Sequence, residues 1–215
     1  MDTQSVVLAS TIIVFALTLV LAVCISVYYM RRRTMNYLFW GLGMWLFAAG
    51  ALLQILFADG VYSEPLMKIY LLVVALLVEA LATGSMQLIK SKRAKNSFYA
   101  YTIAVTALLI YYLFTSQVGN LLQNYVVVGN PPMDVIIGSS LAAFPAAIII
   151  IVIAALGYKR TKDLRLLSII LGVIIVSAAG TLYIASFPAF LYYAEFIGIL
   201  LLWIGFLDFR SLTKR

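Results

Sequence analysis

The sequence predicts an all-α protein, a polytopic membrane bundle of seven transmembrane helices with its amino terminus outside and its carboxyl terminus in the cytoplasm. Three observations predict it. Of the 215 residues, 65% are hydrophobic and only 11% are charged, whereas a soluble domain carries about a quarter charged residues. So few charges cannot cover a core with polar surface, so lipid must cover it. The apolar residues fall into seven segments, each near the ~20 residues that cross about 30 Å of hydrocarbon. Finally, all but one of the 15 Lys and Arg residues sit in four groups. With seven spans, those groups share one side of the bilayer.

The first span is Ser5–Met30. It lacks a basic n-region and a small-residue cleavage site, so it is expected to remain as an uncleaved anchor. Cys24, the single cysteine, lies inside it and reads as a small buried hydrophobe. Arg31, Arg32 and Arg33 end it. The second span, Tyr37–Ala58, holds Trp40 near one end, Trp45 deeper, and Gln54 about one turn from the outer end. Trp40 reads as an interface anchor of the aromatic belt.

The third span, Leu66–Lys90, contains LLVVALLVEALATG at 71–84, with Glu79 at its centre. Thr83 and Gln87 follow at four and eight residues, so the three share a helix face. Ala80 and Gly84 nearby would let another helix come close. Lys90, Lys92, Arg93 and Lys95 precede the fourth span, Phe98–Ser116.

The longest connection is QVGNLLQNYVVVGNPP at 117–132, stopped by Asn-Pro-Pro. Its NLLQNYVVV core is apolar enough to lie on the membrane or to fold over the bundle. The fifth span, Met133–Tyr158, carries Pro145, which is expected to kink it. After Lys159, Arg160, Lys162 and Arg165 come the sixth span, Leu164–Ser186, and the seventh, Phe190–Asp208. Ser177, Thr181 and Tyr183 lie deeper in the sixth span, and Glu195 lies about a third of the way down the seventh. Little remains between or beyond the spans, so residues 1–215 read as one membrane domain.

The basic groups set the orientation. The side with most Lys and Arg is the cytoplasm, and only Lys68 falls on the other side, with Asp2, Asp59, Glu64 and Asp134. The net charge of +7 is thus a topology signal. Short basic clusters beside membrane helices contact anionic lipid heads rather than nucleic acid. The expected setting is the cell membrane, with the lipid bilayer as principal partner and a homo-oligomer or membrane partner as a further expectation.

Residues 28–50 echo residues 158–180 at an offset of 130: Tyr28 meets Tyr158, Arg32 meets Lys162, and Ala48-Ala49-Gly50 meets Ala178-Ala179-Gly180. With the fourth span between, the chain reads as a 3+1+3 parallel pseudo-repeat. Transporters with such repeats place their site at the repeat interface. Glu79 and Glu195 then fall in the third helix of each triplet, 116 residues apart.

A charge at the centre of a span costs about 3 kcal/mol on insertion scales. No Lys, Arg or His lies mid-membrane to pair with Glu79. The carboxyl group must be protonated, hydrogen-bonded to neighbouring helices, or facing a water-filled cavity. Glu79, Thr83, Gln87 and Glu195 are therefore the candidate proton or ion site, and depth alone suggests a polar path from Glu195 to Glu79. Trp45, Gln54, Ser177, Thr181 and Tyr183 are the candidate pocket lining.

There is no histidine, which removes the usual general base, bis-His haem and most transition-metal sites. No Cys pair, HExxH, Gly-rich phosphate loop or GxSxG occurs. No enzyme activity and no cofactor are expected. The seven-span layout is similar to that of microbial rhodopsins, but FIGILLLWIGFLDF at 196–209 has no retinal-binding lysine. The 3+1+3 pattern is similar in layout to SWEET-type sugar transporters, although their Pro-Gln pair is absent. The expected function is a channel or carrier for an ion, proton or small solute. The alternative is a seven-helix sensor or regulatory subunit acting through a separate partner, or a structural subunit of a membrane complex.

Overall fold

The computed structural model describes residues 3–123, 125–127, 130–183 and 188–206, without the side chains of 3, 123, 177–183 and 188–192. Among these residues the chain is all-helical apart from one short hairpin. The elements are α1 (Thr3–Arg32), α2 (Met35–Ala58), α3 (Glu64–Met86), α4 (Lys92–Thr115), β1 (Leu122–Gln123), β2 (Val126–Val127), α5 (Met133–Thr161), α6 (Leu164–Tyr183) and α7 (Pro188–Phe206). Five of them, α1 to α5, are long and apolar enough to cross a membrane, consistent with a helical membrane bundle. Their outward residues are apolar too: Ile103 is 71% and Phe114 84% exposed, a surface suited to lipid rather than water.

The turns follow from local chemistry. Ser63 caps α3 by accepting from the Leu66 N–H at 3.4 Å, with Pro65 in the first turn, and Ser91 caps α4 by accepting from Ala94 at 3.3 Å. The sequence carries the third span on to Lys90, but α3 ends at Met86. The N–H groups of Gln87, Leu88 and Ile89 bond the carbonyls three residues back, a tightening that commonly ends a helix. Ser91 then draws the polar residues 92–97 into α4.

α1 and α5 end alike. Arg33 (φ 51°) and Lys162 (φ 56°) are left-handed, and their N–H groups bond the Tyr29 and Tyr158 carbonyls at 2.7 and 2.8 Å.

Six helices form a ring. α1 packs on α2, α2 on α3, α3 on α5, α5 on α6, α6 on α7, and α7 closes on α1. α4 stands outside the ring against α3 and α5. The first helix of each triplet thus meets the third helix of the other. Across the closing seam, the Trp203 indole donates to the Leu17 carbonyl at 3.3 Å.

Two glycines set the α2–α3 approach. A Cβ on Gly84 would lie 2.4 Å from Trp40 Cδ1, and one on Gly43 would lie 2.8 Å from Leu81 side-chain carbons. Trp40 is therefore not an interface anchor. It is buried against Gly84, 4.8 Å from the Phe206 ring, with its indole N–H donating to Ser85 Oγ.

Pro145 lies inside α5. It has no N–H for the carbonyl four residues back, which belongs to Leu141. The Tyr101 hydroxyl on α4 donates to that oxygen at 2.7 Å instead. No water is available in hydrocarbon to substitute. Tyr101→Phe should therefore destabilise the purified protein by about 1–3 kcal/mol, the cost of an orphaned carbonyl. Adding Pro145→Ala restores the N–H, so the double variant should recover most of that loss in thermal unfolding.

The loop between α4 and α5 folds over the bundle rather than lying beside it. Its strands pair antiparallel through Tyr125, at φ 66°. Val118, Leu121, Val126 and Val127 are buried. Val126 packs with Val7 of α1, Ala58 of α2 and Ala194 of α7. Val126 and its neighbours thus form an apolar cap against α1, α2 and α7 at the end of the ring opposite the basic turns.

Candidate functional site

One turn below Val126 lies a polar cluster drawn from three helices. Gln54 on α2 donates through Nε2 to the Tyr70 hydroxyl on α3 at 2.9 Å and to Glu195 Oε1 on α7 at 3.4 Å. α1 stands between α2 and α7 in the ring, so the Gln54–Glu195 bond crosses the interior. Gln54 and Glu195 are 9% and 8% exposed. Phe57 closes one flank, its ring 5.7 Å from Tyr70 and edge-on.

Glu79 occupies a different place. It is buried on α3 with Oε2 accepting from the Thr106 hydroxyl of α4 at 2.7 Å. Gln87, eight residues on, donates to the Thr83 carbonyl at 3.2 Å and to the Tyr99 hydroxyl of α4. Lys95 on α4 reaches back to the Gln87 carbonyl at 3.1 Å. Glu79 and Gln87 thus belong to a polar seam along which α4 is fastened to the ring, and Thr83, also buried, contributes its carbonyl to it.

The two carboxyl groups are not brought together. Glu195 meets α3 at Tyr70, nine residues before Glu79. Nine residues are about 13.5 Å along a helix and half a turn around it. Tyr70 therefore faces the ring interior while Glu79 faces α4.

In both sites one carboxyl oxygen is bonded and the other is not. Among the described residues, the buried side-chain polar atoms lacking a hydrogen-bond partner are Gln54 Oε1, Glu79 Oε1 and Glu195 Oε2. All three are acceptors. The buried hydroxyls of Thr11 and Thr18 donate to carbonyls of their own helix, and Ser168 on α6 donates to the Leu201 carbonyl of α7 at 2.6 Å.

Of the remaining expected residues, Trp45 is 45% exposed on the outer surface and donates to Ser26 at 3.1 Å. Its position on α2 turns it toward Ser26 of α1 and the outer surface, away from the Gln54–Glu195 cluster. Ser177, Thr181 and Tyr183 lie on α6, but their side chains are outside the described residues. Tyr70 is the member that the sequence does not single out. Among the described residues no group of three or more His, Cys, Asp or Glu could hold a metal ion.

No family model, curated protein or solved structure matches the chain.

Proposed function

We propose that the chain is a seven-span membrane protein, amino terminus outside and carboxyl terminus in the cytoplasm, that carries or conducts a proton, a cation or a small solute bearing N–H or O–H groups. One observation carries this reading: among the described residues, the buried side-chain polar atoms without a partner are all carboxyl or amide oxygens. A buried acceptor without a partner costs about 1–3 kcal/mol, so a proton taken up by the carboxyl group, a bound donor or a cation would relieve these sites. The Glu195–Gln54–Tyr70 cluster is the outer site, inside the ring and under the Val126 cap. Glu79 is the midplane carboxylate, held by Thr106 at the α4 seam. The packing of α1 on α7 and α5 on α3 supports a 3+1+3 arrangement of two related triplets, with Glu195 where the halves meet.

The test is flux. Purified protein in liposomes, under an imposed pH or cation gradient, should dissipate the gradient faster than empty liposomes do. Failure with protons, monovalent cations and divalent cations alike would rule out ion conduction. Co-purification of a cytoplasmic protein in that case would favour the regulatory-subunit reading.

A further inference from the structure

A cavity lies at the opposite end of the bundle from the Gln54–Glu195 cluster, independent of the carboxylate sites. It has a volume of about 490 Å³ and opens between the end of α3, the end of α5 and the start of α6. That volume is in the range of small-molecule sites. Its floor and walls are Trp40, Ser85, Ile150 and Ile169, and Lys90 and Arg160 stand at its mouth. The floor offers no free polar group, because Ser85 donates to the Leu81 carbonyl and accepts from Trp40.

The mouth is the reverse. No acidic residue lines the cavity, and among the described residues neither Lys90 nor Arg160 pairs with a carboxylate. Leu88 and Leu156, which also line it, are 54% and 51% exposed, so the rim passes directly into the apolar outer surface.

A largely apolar slot, open sideways, whose mouth carries two basic residues with no carboxylate partner among the described residues, fits an anionic amphiphile. We propose that this cavity binds an anionic phospholipid of the cytoplasmic leaflet, its phosphate between Lys90 and Arg160 and one acyl chain running inward along Ile150 and Ile169 over Trp40. Basic pockets between membrane helices on the cytoplasmic side recognise such headgroups.

The position of Trp40 supplies the assay. In a Trp45→Phe/Trp203→Phe background Trp40 is the sole tryptophan, because the chain has 3. Its fluorescence is followed in liposomes containing phosphatidylglycerol or phosphatidylcholine brominated on one acyl chain. The expected result is preferential quenching by phosphatidylglycerol at equal mole fraction, with a relative affinity of roughly fivefold per basic residue. Lys90→Gln and Arg160→Gln should each reduce the preference, and together abolish it. Both residues are exposed, so these variants should fold. Ala154→Phe, which places a ring in the cavity wall, should reduce quenching by both lipids. Equal quenching by the two lipids in the unmodified mouth would overturn the proposal, as would a preference that survives loss of both cations.

Discussion

Glu195→Gln is expected to reduce flux to the level of empty liposomes while leaving the protein folded. The amide has the size of the carboxyl group and keeps an oxygen for the Gln54 Nε2 donor, which now approaches Glu195 Oε1 at 3.4 Å. What it loses is the ability to take up a proton or carry a negative charge. Loss of flux with unchanged thermal unfolding would therefore be a chemical effect. Glu195→Asp keeps the charge but withdraws it from Gln54 by one methylene, and should retain partial flux. Tyr70→Phe removes one acceptor from Gln54 and should slow transport without abolishing it. The matched variant Glu79→Gln separates the two carboxylates. If transport uses both, it too falls to background; if only the interior cluster matters, it does not. Wild-type rates in Glu195→Gln would remove the interior carboxylate from the mechanism, whatever Glu79 does.

Gly84→Val is expected to cost several kcal/mol and to prevent recovery of most of the folded protein. A Cβ at that position would meet Trp40 Cδ1 at 2.4 Å, Nε1 at 2.8 Å and the Asn36 carbonyl at 3.0 Å. The Phe206 ring 4.8 Å and the Tyr37 ring 5.6 Å away oppose the indole's retreat on two sides, and the Asn36 carbonyl is backbone. Overpacking typically costs about 1–3 kcal/mol, and more where backbone must move. Gly84→Ala should fall within that range. Gly50→Ala is the control, since its Cβ would meet only a Val73 methyl at 3.7 Å, an ordinary contact. Thermal or denaturant unfolding in detergent should show a large drop for Gly84 and almost none for Gly50.

These two sites show what was legible in the sequence. Apolar length gives the helices, because that signal is local and the bilayer fixes the scale; the Ser63 and Ser91 caps that set where α3 and α4 begin emerge only in the fold. Glu79, Gln54 and Glu195 are conspicuous because polar groups in hydrocarbon are costly. Gly84 is legible as a close-approach position for the same kind of reason. Which faces meet is not local information. Gln54 and Glu195 are 141 residues apart, and no spacing rule connects them. Tyr70 lies near the amino-terminal end of α3, where a tyrosine is indistinguishable from an interface anchor until the helix is seen to turn it inward. Trp45 and Trp40 exchange roles for that reason: five residues on one helix separate an outward-facing indole from a buried one. Gly50 belongs to the repeated Ala-Ala-Gly patch, but its own approach is loose. Pro145 is a visible helix breaker, whereas the tyrosine that satisfies its freed carbonyl comes from another helix.

The α1–α7 seam has a consequence for biosynthesis. The indole of Trp203 and the carbonyl of Leu17 are separated by 186 positions. At a translation rate of about 5–20 residues per second, roughly 10–40 seconds elapse between synthesis of the two partners. For that interval α1 must wait with its closing edge uncovered, so the nascent chain needs lipid or an insertion factor to occupy that edge until its last helix arrives.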